Sequence, residues 1–225
     1  MFNESPLNET ELNEAAFNET WKPELLRFIQ QEMVTDAAHD IQHVARVVNT
    51  ATRLSETEGG DLYVVLPAAY LHDCFTYPKD HPDRKHSAFI AADKACEFLS
   101  SIHYPNQYLN AIHHAIVAHS YSANVAPTTR EAMIVQDADR LDALGAIGIT
   151  RCIQVSASLQ RTLYSNDDPF CRERAPDDSQ FTLDHFYTKL FSIADTMNTS
   201  AGQAEAQNRV ECMQYYLTQL SREIS

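Results

Sequence analysis

His72 and Asp73 stand side by side in "VVLPAAYLHDCF" (64–75), a run that is otherwise almost wholly apolar. An ionisable pair in such a run costs stability unless something compensates it. Two further sets of residues invite the same question. His39 and His43, in "AHDIQHVARV", are i, i+4 partners on one helical face. Asp137, Asp139 and Asp142 crowd into "VQDADRLDALGAIG", where like charges at that density repel unless one of them faces a cation. Imidazole and carboxylate both ligate divalent metals. Each set alone has a plain structural alternative: a satisfied core histidine, a buried ion pair, a solvated acidic turn. Together they place a His, a His-Asp pair and an Asp on three separate elements, and ligands from several helices of one bundle make a preformed metal cage.

The elements that must position these groups read as helices. "WKPELLRFIQQEM" spaces Leu25, Phe28 and Ile29 at helical intervals. "HDIQHVARVVNTATRLSE" puts Ile41, Val44, Val48, Ala51 and Leu54 on one side, and Gly59-Gly60 ends it. Asp61 suits the cap of the next helix, in which Pro67 predicts a kink or a delayed start. Neighbouring positions on a helix diverge by about 100°, so His72 and Asp73 reach one ion only where their helix ends or opens. "DRKHSAFIAADKACEFLSSI" and "PNQYLNAIHHAIVAHS" continue as helices. Thr128 or Thr129 caps the long run to Leu159, where Gly145 and Gly148 mark either close packing or a break. Residues 164–180 are polar and proline-containing, hence a loop, and two helices close the chain.

The expected architecture is all-α, a single-domain bundle over residues 21–225. An acidic tail with an imperfect repeat ("LNET", "LNEA", "FNET") occupies residues 1–20. The formal net charge is −14, and no basic patch speaks for nucleic acid. The five cysteines are widely spaced and read as reduced thiols of a cytoplasmic protein. No run approaches the ~20 apolar residues of a membrane helix, so no membrane partner is expected. No P-loop or dinucleotide glycine pattern is present.

The order H…HD…D, carried by "HVARV", "LHDCF" and "DADRLDALGAIG", resembles the HD-domain superfamily of metal-dependent phosphohydrolases. More closely it resembles a branch of small bacterial HD hydrolases, with "AHS" before a proline-containing loop and "LDHFYTKL" as further matches. The resemblance covers roughly Trp21 to the C-terminus. It implies that His43, His72, Asp73 and Asp139 hold a divalent metal. His43 is chosen over His39, and Asp139 over Asp137, because they stand at the family's H-x-x-R-V and A-D-R-L positions. Such a mixed nitrogen and oxygen set suits Mn²⁺ first, with Co²⁺, Ni²⁺, Fe²⁺ and Zn²⁺ also fitting and Mg²⁺ less natural.

The implied activity is hydrolysis of a phosphate ester or anhydride of a small phosphorylated metabolite, expected to be a nucleoside mono- or triphosphate. Asp73 and Asp142 are the candidate proton acceptors. Lys79, Arg84 and Lys85, on the segment after the HD pair, are candidate phosphate clamps, with His119 and Arg140 beside them. Arg46 and Arg140 alternatively pair with the site's carboxylates. Tyr77, Tyr121 and Phe170 are available to stack a base. Competing readings are a binuclear phosphodiesterase or oxygenase, for which His113, His114 and His119 would supply the second site, and a non-catalytic nucleotide-sensing module. Oligomeric state is left open, a homodimer included.

Overall fold

The computed structural model describes residues 17, 19–33, 40–77 and 81–224. Among them the structure is helical, and the only β pairing is one isolated parallel bridge, Thr162 to Phe181. The helices are α1 (Lys22–Glu32), α2 (Ile41–Glu58), α3 (Leu62–Leu71), α4 (Ser87–Ser101), α5 (Leu109–His119), α6 (Arg130–Leu141), α7 (Gly145–Ser158), α8 (Phe191–Ala194) and α9 (Ser200–Glu223). His39 and Lys79 lie outside the described residues, as does most of the N-terminal repeat. None of the described helices is long and apolar enough to cross a membrane.

The centre of the bundle is α3, which packs against α2, α5 and α6. Every residue from Val64 to Leu71 is buried, as expected of a helix apolar on all sides. Pro67 does not break it. A proline removes the N–H that would bond the carbonyl four residues earlier. That carbonyl belongs to Tyr63, and it accepts a 2.7 Å hydrogen bond from the hydroxyl of buried Tyr104 instead. Tyr104→Phe should leave the carbonyl unsatisfied and destabilise the fold by about 1–3 kcal/mol. Urea denaturation against the wild type checks this, and an unchanged midpoint would refute it.

Local signals set most helix ends. Asp40 caps α2 through His43 N–H, Asp61 caps α3 through Tyr63 N–H, and Thr129 rather than Thr128 caps α6 through Ala132 N–H. The long run after Thr129 does break, between Leu141 and Gly145. Gly148 is required there by close approach: a Cβ on it would lie 2.2 Å from the Ala143 carbonyl oxygen. The loop after α7 is fixed by Arg174, which makes two 2.6 Å bonds to fully buried Asp184. The segment after it begins as a π-helical turn, Phe186–Leu190, and only then becomes α8.

Phe17 departs from the sequence expectation. Composition places it in the acidic tail, yet it is fully buried and stacks on Tyr70 with ring centroids 6.3 Å apart. The core therefore begins N-terminal to Trp21.

Candidate functional site

α3 ends at Leu71, so His72 and Asp73 fall on the turn that follows. That is the opening which lets adjacent side chains face one point. His43 reaches the same point from the first turn of α2, and Asp139 from the last turn of α6. The Nε2 atoms of His43 and His72 lie 3.3 Å apart. Asp73 Oδ2 is 3.5 Å from His72 Nε2, and Asp139 Oδ1 is 3.4 Å from His43 Nε2. Donor atoms of His43, His72 and Asp73 all lie within 4.8 Å of one another.

Each imidazole is held from behind. His72 Nδ1 donates to the Ala69 carbonyl at 2.9 Å, and His43 Nδ1 donates to Asp142 Oδ2 at 2.7 Å. A proton on Nδ1 leaves the Nε2 lone pair facing forward. Two lone pairs and two carboxylate oxygens thus converge, an arrangement that repels itself unless a cation sits among them. The donor set and its tautomers fit a divalent transition metal.

Electrostatics agree with that fit. Burial works to lower the His43 pKa, but hydrogen bonds with Asp139 and Asp142 outweigh it and raise the value to about 9. Burial pushes His72 down, so it stays neutral. Burial would raise Asp139, but its bond with His43 holds it below the usual carboxylate range. Without a cation, a proton on His43 bridges the cluster.

Asp142 requires a correction. It was a candidate base, but it is buried and turned away from the cavity that the donors face. Its oxygens accept from His43, from Arg46 Nε at 2.7 Å and from Arg151 Nη1 at 2.7 Å. It orients His43 and does not line the cavity in front of the donors. Arg46 makes the carboxylate pairing foreseen for it. Arg140 does not: its Nη1 donates 2.7 Å to the Thr196 carbonyl. Asp137 holds Thr199, the cap of the last helix, accepting 2.8 and 2.7 Å bonds from its N–H and Oγ1.

A cavity of about 270 Å³ opens in front of the donors, lined among others by Asp73, His119, Asp139, Arg84 and Lys189. His119 is held like His72: Nδ1 donates to the Ile116 carbonyl, and Nε2 lies 3.6 Å from Asp73 Oδ1. His113 and His114 point elsewhere, to Asp93 at 3.0 Å and to Thr128 N–H at 3.1 Å. Only one of the three histidines offered for a second metal therefore comes to the site. Arg84 faces the cavity and donates to the Tyr77 carbonyl, whereas Lys85 is exposed and does not line it.

Two site residues were missed in the sequence. Arg151 had a readable signal, since a lone guanidinium in the apolar helix "GAIGITRCIQV" needs a buried acid. Lys189 lies in "LDHFYTKL", a stretch that matches the family, but nothing local says that its ammonium reaches the cavity, which tertiary packing alone decides.

Residues 40–144 match the HD domain family model. YpgQ of Bacillus subtilis is 30% identical over 207 residues, covering 89% of this chain and 93% of YpgQ. The crystal structure of YpgQ in complex with ADP aligns with a TM-score of 0.69 at 28% identity, over 89% of this chain and 97% of that one. An HD-superfamily hydrolase from Bacillus thuringiensis aligns with a TM-score of 0.69 at 31% identity, over 92% of this chain and 97% of that one. With its donors gathered from three elements in the order His, His-Asp, Asp, the chain belongs to the HD-domain family of metal-dependent phosphohydrolases.

Proposed function

We propose that the protein hydrolyses a phosphate ester or anhydride bond of a nucleotide, using one divalent metal held by His43, His72, Asp73 and Asp139. The observation that carries this reading is the convergence of two forward-facing imidazole lone pairs and two carboxylates at the floor of a cavity bordered by Arg84 and Lys189. The nucleotide part is supported by a relative, YpgQ, whose crystal structure holds ADP.

When bound, the metal would supply an activated water and polarise a phosphoryl oxygen. The remaining work falls to this chain. Arg84 and Lys189 place positive charge where a phosphate must lie, against the −14 background. Asp73 would accept the proton of an attacking water, and His119, whose Nε2 lies 3.6 Å from Asp73 Oδ1, would give a proton to the leaving oxygen. Asp142, gripped by Arg46 and Arg151, fixes the His43 tautomer. Lys79 is retained as a further phosphate contact, and Arg140 as a flanking cation.

The test is elemental analysis of wild type and Asp73→Ala, with phosphate release from a panel of nucleoside mono-, di- and triphosphates. Wild type should carry about one metal per chain and turn over with Mn²⁺ or Co²⁺, and the variant should lose both. Release that survives exhaustive EDTA dialysis would sink the metal reading.

The pH dependence has a definite sign. The folded, metal-free pKa of His43 is about 9, against an ordinary 6.5. Its protonation therefore stabilises the metal-free fold fully below about pH 6.5, and that contribution is lost as pH rises through 9. Metal must displace this proton, so metal affinity should rise by roughly tenfold per pH unit from 7 towards 9. Competition titrations with a chelator of known affinity check the slope.

A further inference from the structure

We propose that Tyr121 is the platform on which the substrate's nucleobase stacks, and that the cavity between Tyr121 and Ile193 is the nucleoside subsite. This rests on the nucleotide reading above and adds where the nucleoside lies.

Size is the first argument. The cavity in front of the metal donors measures about 270 Å³ and falls just short of the ~300–1,000 Å³ of ligand sites. It accommodates a phosphoryl group but leaves the organic part unhoused. A second cavity of about 580 Å³ adjoins it, sharing His119, Tyr121, Asp139 and Lys189. Lys189 lies on the seam between the two and makes no carboxylate contact among the described residues. An ammonium there meets the phosphate that joins the two halves of a nucleotide.

The lining of the larger cavity supplies the second argument. Thr188, Ser192 and Thr196 all border it. Each hydroxyl proton is already committed within the protein: Thr188 to Asp178 Oδ2 at 2.9 Å, Ser192 to the Lys189 carbonyl at 2.7 Å, and Thr196 to the Ile193 carbonyl at 2.6 Å. What these groups offer outward is therefore oxygen lone pairs. A ribose, whose hydroxyls donate, is the complement of such a wall.

Tyr121 is the third. It sits on the 3₁₀ turn Tyr121–Ala123, immediately after Ser120, which ends α5. The residue is 89% exposed, the most exposed of the large hydrophobic residues described. Among the described residues no aromatic ring stacks on it. Of the other aromatics available to a base, Tyr77 is stacked flat on His81 at 4.1 Å, and Phe170 lies against Arg172 beside a different cavity. A flat, exposed ring beside the metal cavity, facing a hydroxyl-lined wall, matches a base with its sugar.

The experiment measures calorimetric binding of α,β-methylene-ADP and of inorganic pyrophosphate to the Mn²⁺-loaded chain, for wild type, Tyr121→Ala and Tyr121→Phe. Such exposure makes either substitution harmless to folding. Tyr121→Ala should weaken the nucleotide by roughly five- to a hundredfold, the range of a lost base stack. It should leave pyrophosphate unchanged, and Tyr121→Phe should restore nucleotide binding to within about twofold of wild type. Unchanged nucleotide affinity in Tyr121→Ala, an equal loss for both ligands, or a wild type that does not bind the analogue at millimolar concentration would each overturn the proposal. Turnover is recorded separately. A wild type that binds the analogue through Tyr121 but releases no phosphate from any nucleotide would uphold the subsite and sink the proposed reaction.

Discussion

Asp142→Ala should lower divalent-metal affinity by roughly 10- to 100-fold, although Asp142 is not a proposed metal donor. It should also destabilise the fold by about 3–5 kcal/mol. The carboxylate is 3% exposed and accepts from one imidazole and two guanidinium groups. Removing it frees His43 to rotate or to change tautomer. It also takes the carboxylate from Arg151, which is itself largely buried at 16% side-chain exposure and keeps a bond to the Asp142 backbone carbonyl. Asp142→Asn keeps one acceptor oxygen and should fall between the two. Metal titration and denaturant unfolding on the same preparations separate the consequences. A variant that unfolds early but binds metal as wild type would remove Asp142 from the site and leave it a purely structural group.

Asp137→Ala is the second large effect, and it should act on stability alone. Asp137 is fully buried, and its carboxylate gathers the start of α9: Asn198 N–H at 2.9 Å and Nδ2 at 2.8 Å, Thr199 N–H at 2.8 Å and Oγ1 at 2.7 Å. Four donors lose their acceptor at once, at a cost of about 3–5 kcal/mol. In a chain of this size that lowers Tm by roughly 6–20 °C. Gly202→Ala probes the same junction from the other side, because a Cβ there would stand 2.5 Å from Asp137 Oδ2. Both variants should retain metal in their folded fraction. Thermal unfolding read beside metal content decides, and metal loss in a folded Asp137→Ala would show that Asp137 serves the site after all.

These two carboxylates show where sequence reasoning reached its limit. The crowding of Asp137, Asp139 and Asp142 announced that something must neutralise them, and composition alone carried that far. It did not say which partner each would meet. Their spacing turns one towards α9, one into the cavity and one, past the end of α6, back to His43. A contact that spans 99 residues leaves no mark in local periodicity. The helices were legible because burial demands a 3.6-residue rhythm, and the His72–Asp73 turn because two adjacent ligands require a helix to stop. The break before Gly145 stayed ambiguous, since Ala and Leu favour continuation as readily as packing. Phe17 was hidden by its acidic neighbours, whose composition outweighed one aromatic residue. Lys189 sits in the matched "LDHFYTKL", but its place at the cavity was hidden by distance, 50 residues beyond the last proposed donor.

The proposed metal donors span residues 43 to 139, while the wall opposite Tyr121 comes from residues 178 to 196. In evolutionary terms these are two separately mutable inheritances. On the proposed reading the first is constrained by coordination and would change only at the cost of the reaction. The second is a loop and a short turn, anchored by Arg174 and Asp184, whose lining side chains answer to no metal. Under the proposed function, substitutions along that wall would change which substrate is held while leaving the donor set untouched.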